Sequence, residues 1–273
     1  MFKFRIISFP LLLALFGYII FGGKIGEMIF NIIAPVMICL AAYEFLSMLQ
    51  NAGVKSFPTL GGLFALFIAI DTTFELGGVS EIIGVGVSFC FFLSLLFVKE
   101  EQRLEYIGKG IVSFGGVFIL LTGFMPLIFI YQEEAINLLF LVLTTKMMDT
   151  GGYIFGMLSH KLLPNGNHKI LPAISPKKSY EGTFGGIFLS ILTGFILFKL
   201  NYSPFASLAV TLLVSAIFAV GSFAGDLTES AIKRCCKVKD SGDIIPGMGG
   251  IFDVLDSFIY NGIIFGIISK FLG

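Results

Sequence analysis

Six acids (Asp226, Glu229, Asp240, Asp243, Asp253, Asp256) and four bases (Lys233, Arg234, Lys237, Lys239) crowd into residues 225–257, between two apolar segments. Charges interleaved this densely cannot form a packed core, because a buried charge without a partner is too costly. They are suited to binding something charged. Asp253 and Asp256 are three residues apart, so both project from one face if the last helix starts near them. Gly249 and Gly250 precede them and allow close backbone approach, and free N–H groups at a helix start favour an anion. Asp226 and Ser230 are four apart and share a face at the end of the preceding helix, with Lys233 placed to reach a phosphate. Carboxylates with oxygen-rich neighbours are the ligand set of Mg²⁺, which commonly bridges protein carboxylates and substrate phosphates. The plain alternative makes these acids helix caps and the lysines topology signals. Capping accounts for one Asp per helix start and leaves most of the cluster unexplained.

A second stretch supplies similar chemistry. Asp149 ends an apolar run, and His168-Lys169 and Ser175-Pro-Lys177-Lys178-Ser-Tyr-Glu-Gly follow it. Taken alone, Lys177 and Lys178 read as well as snorkelling anchors. His160 and His168 lack a ligand spacing. Cys235 and Cys236 are adjacent, which is neither a redox pair nor a zinc spacing, and Cys39 and Cys90 sit in apolar runs as packing residues.

The elements that must position these groups are membrane helices. The chain has 273 residues, 56% hydrophobic and 13% charged, with a mean hydropathy of +0.95, whereas soluble domains carry about 25% charged residues. Nine apolar segments can be drawn, near 6–22, 28–48, 58–71, 82–98, 111–131, 135–149, 182–198, 205–225 and 251–271. Lys3 and Arg5 precede the first, which is expected to stay as a helix and not to be cleaved as a leader. With nine spans and a cytoplasmic N-terminus, fifteen of the eighteen Lys and Arg fall on one side, leaving Lys24, Lys199 and Lys270 on the other. That is the asymmetry the positive-inside rule requires. The fold expected is therefore all-α and polytopic, with about nine transmembrane helices and the C-terminus opposite the N-terminus. Residues 1–148 hold about six helices. Residues 149–273 form a catalytic region with about three helices and two cytoplasmic loops, 149–181 and 226–250. Both loops start with an acid at a helix C-terminus, which opposes the helix dipole and suggests a shared ion site. Glu44 lies within a helix pattern near the cytoplasmic end, where a functional role and simple snorkelling are equally open.

The run Ser230-Ala-Ile-Lys233-Arg234, four residues, Lys239-Asp-Ser-Gly242, then Pro246-Gly-x-Gly249-Gly250-Ile-Phe-Asp253-Val-Leu-Asp256-Ser257 resembles the signature of phosphatidate cytidylyltransferases. Asp149 with Tyr153 and Gly156, and SPKKSYEGTFGG at 175–186, are similar to that family's second block. The motif resemblance covers roughly residues 149–257. Two positions depart from it: Met248 stands where the family usually has His, and Val254 where it usually has Arg. Their loss bears on nucleotide binding and substrate preference.

The resemblance implies a membrane enzyme of phospholipid biosynthesis that joins CTP and phosphatidate to give CDP-diacylglycerol and pyrophosphate. It implies Asp226, Asp253, Asp256 and Asp149 as metal ligands, with Asp226, Asp253 and Lys233 catalytic. Ser230, Arg234, Lys239, Lys177, Lys178, Ser175, Gly249 and Gly250 would bind substrate. Mg²⁺ is the expected cofactor, with room for a second cation, monovalent or divalent. The expected partners are the two substrates and the bilayer, with no nucleic acid, and a homodimer is compatible with the sequence. The enzyme would be an integral membrane protein with its active-site loops on the cytoplasmic side, in the plasma membrane if the source is bacterial. Rival readings are another lipid-linked phosphotransferase, a family member that has lost activity, and a transporter with an acidic ion site. An alcohol phosphatidyltransferase would carry a DGxxAR-type motif, which the chain lacks. A transporter would spread its acids along a midplane route instead of collecting them on one side.

Overall fold

Apolar segments in a bilayer must satisfy their backbone N–H and C=O groups internally, which favours helices. The computed structural model describes residues 2–77, 79–164, 166–247 and 249–272, apart from the side chains of 2–9, 79–81, 271 and 272. Lys3, Arg5, Glu81 and Met248 therefore lie outside the described side chains. In order, the helices are α1 (Phe2–Phe21), α2 (Gly23–Asn51), α3 (Pro58–Phe74), α4 (Val79–Ser94), α5 (Glu100–Glu133), α6 (Ala135–Leu162), α7 (Tyr180–Lys199), α8 (Leu208–Cys235), α9 (Ile251–Leu255) and α10 (Phe258–Leu272). Five of them, α2, α5, α6, α7 and α8, are long and apolar enough to cross a membrane. The described parts of α1, α3, α4 and α10 are apolar but shorter. The chain is thus an all-helical, polytopic membrane protein.

The two expected loops are shorter than the hydropathy pattern indicates. Helix α6 continues to Leu162 and α8 to Cys235, so the connections run over 163–179 and 236–250. Hydropathy reports what surrounds a segment, whereas the helix ends only where its hydrogen bonds stop. The stretch 226–235 holds no Pro and no Gly, and Glu, Ala, Lys and Arg sustain a helix well. Asp149 and Asp226 are therefore interior helical residues, and neither carboxylate opposes the dipole at a helix C-terminus. The last apolar segment is also divided. Asp256 Oδ1 accepts the Ser257 N–H at 2.5 Å, and short polar side chains that capture nearby amides compete with helix continuation. Asp253 lies inside α9 while Asp256 falls in the break before α10, so the two do not share a helical face.

The chain forms two compact units that interleave in sequence. The first comprises residues 1–128 and 235–255, the second residues 129–234 and 256–273. In the first, α2 packs on α3 and on α9, where the Phe45 and Phe252 rings lie 5.6 Å apart. Glu105 on α5 takes ion pairs from Lys55 at 2.5 Å and Lys109 at 3.1 Å.

The second unit is centred on Phe140, Phe205, Phe265 and Phe218, which close a ring with neighbouring centroids 5.9–6.3 Å apart. All four are buried, and such aromatic pairs add stability beyond the area they bury. Beside them Asn261, fully buried, donates to Thr145 Oγ1 at 2.8 Å and to the Phe218 carbonyl at 2.9 Å. That pair of bonds ties α10 to α6 and α8.

Candidate active site

The second unit contains a cavity of about 510 Å³ whose lining includes Asp149, Asp226 and Asp256. One wall is made by glycines. A Cβ on Gly151 would lie 2.7 Å from the Gly185 carbonyl oxygen, and one on Gly182 would lie 2.7 Å from that of Gly152. Side chains at these positions would push α6 and α7 apart, and small residues are how membrane helices approach closely. Ser179 caps α7 by accepting the Gly182 N–H at 3.2 Å. The loop before it is folded back on itself, with Ile170 donating to the Lys178 carbonyl and Tyr180 to the His168 carbonyl. Asn167 Nδ2 ties the loop to the Gly156 carbonyl on α6 at 2.7 Å.

This anchoring places Ser175, Lys177 and Lys178 in the cavity lining. Lys178 reaches across to Asp226 Oδ2 at 3.0 Å, donates to the Phe223 carbonyl and lies over the Phe223 ring. Two groups expected in separate loops are thus in direct contact. His168 pairs with Glu181 at 2.6 Å.

Asp149, Asp226 and Asp256 face one another closely enough to interact. Burial, and after it the charge of Asp226, push the Asp256 carboxyl well above the usual carboxylate range, while Lys146 opposes the rise. Lys146 donates to Ser257 Oγ at 2.7 Å and lies 3.5 Å from Asp149 Oδ2. Ser222 donates to Asp149 Oδ1 at 3.3 Å. Neither Lys146 nor Ser222 is expected at the site from the motifs. A usable signal for Lys146 did exist, since it is a lysine inside the apolar run 135–149, and intramembrane cations generally have partners.

Among the described residues, no three acid, His or Cys side chains close around a point as a ready-made metal cage. Mg²⁺ does not require one, since it usually takes one or two carboxylates and completes its shell with water and substrate phosphates. The paired Asp226 and Asp256, with Asp149 beside them, fit that habit. Lys146 and Lys178 lie against Asp149 and Asp226 and offset part of their charge.

The other expected residues divide. Ser230 lines the cavity. Lys233 forms a 2.5 Å ion pair with Glu229, which is buried and also lines the cavity. Arg234 is exposed near the end of α8. Asp253, Lys239, Gly249 and Gly250 belong to the first unit. There Asp253 accepts the Ser241 N–H on both oxygens (3.1 and 3.0 Å) and the Gly250 N–H at 2.9 Å. An acid near the start of a helix reaching back to the amide before it is half of a capping box. Its carboxylate has further lone pairs able to accept a cation. Val254 lies half-buried on α9. Burial pushes the Cys236 thiol up, against a reactive role.

A model of the cytidylyltransferase family matches residues 3–272. The phosphatidate cytidylyltransferase of Staphylococcus epidermidis is 32% identical over 237 residues, covering 86% of this chain and 87% of its own length. Those of Staphylococcus haemolyticus and Staphylococcus aureus are each 30% identical, over 260 and 268 residues, covering 94% of this chain and 95% of theirs. With the match running almost end to end, the chain belongs to the cytidylyltransferase family.

Proposed function

We propose that this protein is a phosphatidate cytidylyltransferase, converting CTP and phosphatidate to CDP-diacylglycerol and pyrophosphate. The observation that carries the reading is the meeting of Asp149, Asp226, Asp256 and Lys178 at one cavity, with Lys146 paired to Asp149 behind them. A phosphate oxygen of phosphatidate attacks the α-phosphorus of CTP. The new P–O bond forms as the bond from that phosphorus to the bridging oxygen breaks, and pyrophosphate leaves. Phosphatidate is already an anion at neutral pH, so no strong general base is needed.

The difficulty is electrostatic, since anions must approach while charge grows on the leaving group. Asp226 and Asp256, assisted by Asp149, would hold Mg²⁺, which when bound supplies charge neutralisation and orients phosphate oxygens. Lys178 moves between its Asp226 contact and an incoming phosphate. Lys177, Ser175 and Ser230 add donors from the same lining, and the buried Glu229–Lys233 pair keeps the α8 face rigid. Lys239, Arg234, Gly249 and Gly250 remain assigned to nucleotide phosphates, and Asp253 to holding its loop and to a cation. The full reading has nine spans, a cytoplasmic N-terminus and the 163–179 and 236–250 connections in the cytoplasm, where CTP is available.

The test uses purified full-length protein with radiolabelled CTP, phosphatidate and Mg²⁺. A labelled liponucleotide that fails to form without phosphatidate or after EDTA is the expected result. Solute uptake into vesicles with no nucleotide turnover would overturn the reading.

A further inference from the structure

Glu44 sits on α2 with only 4% of its surface exposed, so it does not reach water as a snorkelling acid would. Its Oε2 accepts the Phe252 N–H at 2.9 Å and the Ser241 hydroxyl at 3.1 Å. Ser241 in turn donates its own amide to Asp253. Ser241 therefore links two carboxylates, one on α2 and one on α9. Two glycines of the signature are shaped around this contact. A Cβ on Gly242 would lie 2.5 Å from Glu44 Oε1, and one on Gly250 would collide with Glu44 Oε2 and Ser241 Oγ. Glycine is required there because the Glu44 carboxylate fills the space a side chain would need.

We infer that Glu44 is a positioning residue for the segment 239–253, holding the start of α9 and the backbone around Ser241 in the form that presents Lys239, Gly249 and Gly250 to the nucleotide. Its partners are a backbone amide and a hydroxyl, so it acts on the shape of the loop and not on a substrate atom. Phe45, the next residue, packs its ring on Phe252 and reinforces the same contact. The kinetic part of this inference rests on the cytidylyltransferase reading. The structural part does not.

Two readouts on the full-length protein test it. In Glu44→Ala, amide exchange over peptides covering 239–253 accelerates by about tenfold or more, while α6 and α7 keep wild-type protection. The KM for CTP rises roughly tenfold and that for phosphatidate changes by less than about twofold. Glu44→Gln keeps a carbonyl oxygen able to accept both bonds and returns both readouts towards wild type. Should Glu44→Ala not fold, Ser241→Ala removes one of the two bonds and produces a weaker shift in the same direction. Wild-type exchange over 239–253 in the folded variants, or an equal KM rise for both substrates, overturns the inference. If the wild-type protein forms no liponucleotide, the reaction assignment falls and the exchange arm still decides the role of Glu44.

Discussion

In the proposed reaction Asp226 and Asp256, which line the cavity, are the residues on which the chemistry would depend most directly. Replacing either with Asn keeps the shape and removes the charge, so kcat is expected to fall by about 100-fold or more with the melting temperature in detergent little changed. Cys235→Ser serves as the control and stays within about twofold of wild type, because Cys235 is exposed and a small polar exchange at an exposed position costs little. Equal losses in all three would point to a folding defect. Lys146 invites a different experiment, since it neutralises acids that would otherwise repel one another. Lys146→Met lowers the melting temperature of the metal-free protein, and added Mg²⁺ raises it by more than in wild type, as ligand binding to the native state requires. The identities of the acids were legible in the sequence because charge among apolar runs is conspicuous. Their grouping was only partly so. Asp253 and Asp256 are three residues apart, yet the break at Asp256-Ser257 sends them to different units, and no spacing rule anticipates a helix that stops after five residues.

At the level of elements, the glycines between α6 and α7 make the clearest prediction. Gly151→Ala or Gly182→Ala drives a methyl group to 2.7 Å from a backbone carbonyl oxygen, which has no rotamer with which to retreat. Each should destabilise the protein by about 1–3 kcal/mol, measured by thermal unfolding in detergent, and lower activity by widening the cavity wall. Gly115, with nothing near its Cβ position, should accept Ala at little cost and supplies the comparison. The helices themselves were legible because apolar runs of this length in a bilayer have few other options. Their ends were not, since hydropathy falls at Asp149 and near Asp226 while the backbone hydrogen bonding carries on to Leu162 and Cys235. The same limitation hid the glycine contact, because the sequence displays the small residues on α6 and α7 without showing that they meet.

For the whole molecule, the distribution of Lys and Arg implies which side of the membrane each connection faces, and Cys235 offers a natural reporter. It is exposed at the C-terminal end of α8. In a variant with the other three cysteines changed to Ser, a membrane-impermeant maleimide should label Cys235 in inside-out vesicles and not in right-side-out ones. The opposite pattern would invert the topology. The placement of Asp149 and Asp226 within continuous helices also bears on which changes of chain length the protein can accept. A residue inserted between Ala135 and Asp149 would turn that carboxylate by about 100° around α6 and shift it about 1.5 Å along the axis. An insertion in α8 ahead of Asp226 would do the same, breaking the alignment with Lys178. A connecting loop can absorb an extra residue by bulging, and a helix cannot. Among descendants of this chain, α6 and α8 should therefore vary by substitution while keeping their length up to those acids, and length changes should collect in the connections outside the two units' packed helices.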